Sequence, residues 1–278
     1  HNVGTRADVE AEAAAMRAAS PALPPFLAVD QEGGAVARLG PAEGVPALPA
    51  ARRLAAMPLA EARALFAETA RALADLGFNL NLAPVVDLDL EPRNPVIGRF
   101  GRAFSADADA VVAYATAFVE AHRAAGVLTA LKHFPGHGSS LDDSHDGTAD
   151  VTATWGRREL EPFRRLIAAG KADLVMAGHL MLETVDPGGD GPAPPATMSR
   201  VLLGDVLRNR LCFDGLIVSD DLNMRAIAET WPLEEAIVAA LAAGNDVVIA
   251  SIGGDGDVSE VDSIIAAVRR AAREDHAL

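Results

Sequence analysis

The stretch Leu131–His145, Leu-Lys-His-Phe-Pro-Gly-His-Gly-Ser-Ser-Leu-Asp-Asp-Ser-His, concentrates the chemistry of this chain. It holds three of the seven histidines, one lysine and two aspartates, and it follows directly on the apolar run Val127–Leu131. Pro135, Gly136 and Gly138 exclude regular helix, so these polar groups are expected on a loop that leaves a strand. Two chemistries fit. Asp143 stands two residues before His145, so on an extended loop it can orient the ring and favour the imidazolium, which then gives and takes a proton near neutral pH. The same spacing equally suits a hydrogen bond that only braces the loop. Metal ligation is the rival: His133, His137, Asp143 and His145 are ligand types for zinc or iron, although Lys132 beside them would repel a cation.

Other chemistry-bearing residues stand at the ends of other apolar runs. Asp30 follows Phe26–Val29, Lys132 and His133 follow Val127–Leu131, His179 comes after Leu174–Ala177, and Asp220 after Leu216–Val218. A carboxylate at Asp220 near a cation such as Lys132 would stay ionised, which suits a nucleophile or a partner for positive charge developing on a substrate. Its neighbour Asp221 could equally hydrogen-bond the backbone of the following loop.

A repeating unit must bring these residues together. Helical patterns over Arg6–Ala19, Leu59–Leu76, Ala108–Ala125, Glu159–Ala169, Ser199 to Leu211, Leu233–Ala243 and Val258–Arg273 alternate with apolar runs. Those runs are Phe26–Val29, Phe78–Ala83, Val127–Leu131, Leu174–Ala177, Leu216–Val218 and Val247–Ala250, six in all. Gly77, Gly126 and Gly170 close helices, and His122 reads as an ordinary helix-face histidine. Short, continuous apolar strands alternating with helices predict an α/β fold with a parallel, helix-covered sheet. No Gly-x-Gly-x-x-Gly turn follows a strand, which disfavours a doubly wound dinucleotide-binding sheet. In a closed (β/α)8 TIM-type barrel every strand end lies on one face, so Asp30, Lys132, His133, His179 and Asp220 would meet in one pocket.

Composition narrows the function. The 278 residues suit a single catalytic barrel domain over 1–278, and 50% hydrophobic with 4% aromatic residues predicts a core of small aliphatic side chains. A formal net charge of −15 argues against nucleic acid as a partner. No apolar run approaches the ~20 residues of a membrane span. Cys212 is the only cysteine, so no intrachain disulfide or cysteine zinc site can form, in keeping with a reducing compartment. The start shows no signal-peptide pattern, and a cytoplasmic location is expected. His1–Thr5 reads as a loop entering the first helix with no strand before it, so the barrel's first strand is expected to be missing.

These segments resemble the family 3 glycoside hydrolases, in their single-domain bacterial β-N-acetylhexosaminidase branch. The matching stretches are Ala28–Gly34, Leu82–Asp87, Asn94–Gly98, Lys132–Gly138 with Asp143-Ser144-His145, and Phe213–Leu222, in the family's order over nearly the whole chain. The Lys-His-Phe-Pro-Gly-His-Gly run with its Asp-Ser-His loop is specific to this branch. The resemblance implies a retaining exo-glycosidase that removes terminal β-linked N-acetylglucosamine from peptidoglycan fragments, a muropeptide or disaccharide, with no metal or organic cofactor. By motif, Asp220 is the nucleophile and His145 the general acid/base with Asp143 as its partner. Asp30, Arg38, Arg102, Lys132 and His133 grip the sugar. Two departures stand out. Ala35 replaces a common arginine, removing a contact near the sugar, and Ala103 replaces a common serine, which would leave Arg102 less firmly held. An N-acetylglucosaminide phosphorylase, a β-glucosidase or a non-catalytic sugar-binding barrel fits the same scaffold, and a metal-dependent hydrolase is the reading from another class.

Overall fold

A computed structural model of the chain describes residues 4–142, 147, 149–189, 191–252 and 259–274. Six strands form one sheet in chain order: Ala28–Val29, Leu80–Asn81, Leu128–Phe134, Leu174–Ala177, Leu216–Asp221 and Val247–Ile249. Every neighbouring pair is parallel. Strands added in sequence order, with helical connections, are how a TIM-type barrel is built, and the sheet is the curled wall of such a barrel. Among the described residues its edges are Ala28–Val29 and Val247–Ile249.

The strands read as continuous apolar runs because both faces are covered: Ala130, Leu131, Val175, Ala177 and Ile217 are fully buried. Outside them, Leu59–Leu76 packs on Ala108–Ala124. Alanines 62, 70, 115 and 117 allow close approach there, and Phe66 meets Phe118 edge-to-face at 5.1 Å. Gly77 ends the first of these helices at φ 97°, with its N–H and that of Phe78 closing on Ala74 and Leu73. No helix among the described residues is long and apolar enough to cross a membrane.

Strand lengths differ from expectation in both directions. The Phe78–Ala83 run yields only Leu80–Asn81, because asparagine side chains take over the edge pairing. Asn79 Oδ1 accepts from Leu27 N at 2.7 Å, and Asn81 exchanges bonds of 3.1 Å with the backbone of Gln31. Conversely, Lys132, His133 and Asp220 belong to strands and not to the loops after them. At the open end of a barrel the strand tips face a pocket, so polarity does not mark where a strand stops. The helix expected from Glu159 begins as a 3-10 turn, Arg157–Leu160, before the α-helix Glu161–Ala168 with Pro162 in its first turn. The segment after Ser199 is wound as a π-helix over Val201–Arg210, with Ser199 Oγ accepting from Leu202 N at 3.0 Å.

His122 is buried between this helical layer and the sheet. Its Nδ1 lies 2.9 Å from the Phe118 carbonyl, so Nδ1 carries the proton, and Nε2 accepts from Asn81 Nδ2 at 3.0 Å. Burial, outweighing the Phe118 bond and Asp173, pushes its pKa down to about 4. The unfolded imidazole gains its proton near the ordinary value of ~6.5, so the unfolded state binds more protons from there down to about 4 and stability falls with pH across that window. The loss from this one group is on the order of 3 kcal/mol. His122→Gln should therefore be less stable at pH 7 yet show a flatter decline in urea midpoint between pH 6.5 and 4. An unchanged pH slope would contradict this account.

Candidate active site

The strand ends open into a cavity of about 260 Å³. That is just under the ~300 Å³ lower end of small-molecule sites, space for a single ring. Asp30, Glu32, Arg38, Arg102, Lys132, His133 and Asp220 form its polar lining, and Ala35, Val36, Val96 and Phe100 its apolar wall. Six of the expected site residues, Asp30, Arg38, Arg102, Lys132, His133 and Asp220, are thus brought together. Asp143 and His145 lie outside the described residues.

Glu32 organises the floor, and sequence reasoning assigned it no role. Its segment, Gln31–Gly33, turns back on Val36–Ala37 through Gly33 and Gly34, both at positive φ. A Cβ on Gly33 would sit 2.5 Å from the Pro49 carbonyl, so a glycine is required. The turn delivers the Glu32 carboxylate to two buried cations. Arg102 grips it with Nε–Oε2 at 2.9 Å and Nη2–Oε1 at 2.8 Å, and Lys132 Nζ lies 2.7 Å from Oε1. Lys132 also donates to Asp30 Oδ1 at 2.8 Å. Burial works against the Glu32 charge, but Lys132 and Arg102 outweigh it and hold the carboxyl well below the usual range. Burial likewise opposes the charge on Lys132, and Asp30 and Glu32 overcome it and raise its pKa. Arg38, 43% exposed, stands at the rim 3.9 Å from Asp30.

Asp87 orients His133. It is fully buried and accepts from His133 Nδ1 at 2.8 Å, and from the backbone N–H groups of His133 at 3.1 Å and His137 at 2.8 Å. Nδ1 therefore donates, and Nε2 is left to accept from Arg102 Nη2 at 3.4 Å. With one nitrogen on the Asp87 carboxylate and the other beside the Arg102 guanidinium, His133 aims neither at a metal ion. Among the described residues no three His, Cys, Asp or Glu side chains are spaced to hold a metal.

Asp220 lies at the end of its strand, with Oδ1 accepting from Asp221 N at 2.9 Å. Burial pushes its carboxyl up, but His179, His133, that amide and Lys132 outweigh it and keep the pKa below the ordinary value. Lys132, the example of a nearby cation that the sequence offered, contributes less than the two histidines. Asp221 braces the next loop, accepting from the backbone of Asn223 and Ser251 at 3.0 Å. The two departures read differently in three dimensions. Ala35 is part of the apolar wall. Ala103 is buried with Val85, Val96 and Ile97, and Arg102 is held firmly, by the two-pronged Glu32 clamp, so the expected loosening does not occur.

The arrangement sets an ionised carboxylate against a ring-sized cavity rich in oriented donors and acceptors, which suits a hydroxylated ring. Comparison with known proteins agrees. Residues 1–272 match the model of the glycosyl hydrolase family 3 N terminal domain. A Beta-hexosaminidase of Xylella fastidiosa is 42% identical over 259 residues, covering 89% of this chain and 73% of that protein. A Beta-hexosaminidase of Pseudomonas aeruginosa is 41% identical over 253 residues, covering 88% and 71%. The crystal structure of a Beta-N-acetylhexosaminidase from Beutenbergia cavernae superposes with a TM-score of 0.81 at 32% identity, covering 96% of this chain and 82% of that one. On sequence, fold and the composition of its pocket, the chain belongs to glycosyl hydrolase family 3 and is a glycoside hydrolase.

Proposed function

We propose that this chain, as one catalytic barrel domain, is a retaining exo-hydrolase that releases terminal non-reducing β-linked N-acetylglucosamine from small peptidoglycan fragments. The observation that carries the reading is the state of Asp220. Among the described residues the other charged groups of the cavity are in ion pairs, Lys132 with Asp30 and Glu32, Arg102 with Glu32, Arg38 with Asp30. Asp220 is in none, and its Oδ2 has no hydrogen-bond partner among those residues. It is a carboxylate kept ionised and left open for attack. The relatives named as hexosaminidases support an N-acetylhexosaminide as substrate.

In this mechanism Asp220 attacks the anomeric carbon while His145 protonates the departing glycosidic oxygen, giving a covalent glycosyl-enzyme. His145, now neutral, takes a proton from water, and the water displaces Asp220. Two inversions leave the configuration retained. The usual template uses a second carboxylic acid for the proton; here a histidine supplies it, oriented by Asp143. Asp30, Arg38, Arg102, Lys132 and His133 hold the sugar with the hydrogen-bonding capacity their mutual contacts leave.

Two outcomes follow. Polar groups already fixed around a small cavity discriminate strongly by what they can pair with, so kcat/KM for an aryl β-N-acetylglucosaminide should exceed that for the matching β-glucoside by at least ~100-fold. Equal values would count against the substrate assignment. A sugar leaving group needs a proton and a nitrophenolate does not. His145→Ala should therefore lose ~100- to 10,000-fold in kcat/KM on a natural disaccharide and far less on the nitrophenyl glycoside. Equal loss on both substrates would remove His145 from the acid role.

A further inference from the structure

Glu159 is fully buried and reaches back 20 positions in sequence to Ser139, in the chain that leaves the pocket strand. Its Oε2 accepts from the backbone N–H of Gly138 at 3.0 Å and of Ser139 at 3.3 Å, and its Oε1 meets Ser139 Oγ at 2.6 Å. Gly156 N adds a longer contact of 3.4 Å. No lysine, arginine or histidine pairs with it among the described residues. Burial pushes its carboxyl up to about 7, against the Ser139 bond and with Asp87 adding to the rise. Protonation leaves the clasp intact, because Oε2 still takes both amides while Oε1–H can donate to the serine hydroxyl.

The opposite side of this stem is equally fixed. Asn94 Nδ2 donates to the His137 carbonyl at 2.7 Å, and His137 N is bound to Asp87. A Cβ on Gly138 would overlap the Leu88 carbonyl at 1.8 Å, and one on Gly136 would meet the Glu159 Cβ at 2.6 Å. The stem runs through a slot with Leu88 and Asn94 on one wall and Glu159 on the other.

We propose that Glu159 is a positioning residue for the acid/base, fixing at Gly138 and Ser139 the point and direction from which the chain departs toward Asp143 and His145. This rests on the reading of His145 given above. Ser139 precedes His145 by six residues, so an error in the stem's direction is carried toward that residue, whereas Asp30, Arg102 and Asp220 sit on other segments, and Lys132 and His133, on the strand before the stem, are anchored separately by Asp30, Glu32 and Asp87. Loss of Glu159 should thus reduce kcat and spare KM.

The test is a double-mutant cycle on a β-linked N-acetylglucosamine disaccharide. Glu159→Leu should lower kcat by ~10- to 100-fold with KM within about threefold, and Glu159→Gln, which keeps an acceptor for the amides and a donor for Ser139, should restore most of it. In a His145→Ala background Glu159→Leu should have no further effect. Glu159→Asp, one methylene short, carries the same cycle if the leucine variant does not fold. Equal losses with and without His145, or no loss from either variant, overturn the proposal. Full activity of His145→Ala alone overturns the acid/base reading itself.

Discussion

The site depends on one buried carboxylate shared by two cations. Glu32 joins the hairpin after the first strand, the Arg102 loop and the central Leu128–Phe134 strand through contacts of 2.7 to 2.9 Å. A buried triad of this kind adds little net stability over apolar packing, but removing one member strands the others and costs ~3–5 kcal/mol. Its value here is geometric. It fixes the Lys132 ammonium and Arg102 guanidinium as rigid walls, and it engages Lys132 so that Asp220 is not capped by it.

A second pair of buried acids fixes the loop that leaves the same strand. Asp87 binds the His133 ring and two backbone amides, and Glu159 binds the next two amides along. The first orients a ring lining the cavity; the second acts on chain direction. These two acids have no exposed surface and their carboxylates are taken up by the backbone, whereas Asp220 is partly exposed and in no ion pair among the described residues.

Much of this was legible in the sequence. Six apolar runs predicted six parallel strands, and of the polar residues after four of them, expected to share a pocket, Asp30, Lys132, His133 and Asp220 line it. His179 does not line this cavity; it is held by Thr197 at 2.6 Å and the Asp221 carbonyl at 2.9 Å. What sequence could not show was partnership. Glu32, Asp87 and Glu159 look like ordinary surface acids until the fold buries them, since their partners lie 70, 46 and 20 positions away. A run of three polar residues, Asp30-Gln31-Glu32, directly before a glycine pair was the available signal for Glu32. Strand lengths were misread because side-chain amides replaced the ladder at Asn79 and Asn81, and polar strand tips extended it at Lys132 and Asp220.

The central claim is that Asp220 forms a covalent bond to the sugar. It is tested most directly by the stereochemistry of azide trapping on an activated aryl β-N-acetylglucosaminide. Azide needs no base, so with His145→Ala it should accelerate turnover and give the β-glycosyl azide, the product of two inversions. Asp220→Ala should be nearly inactive, and any azide it yields should be α, from a single inversion. An α-azide from His145→Ala, or a β-azide formed readily by Asp220→Ala, would contradict the account.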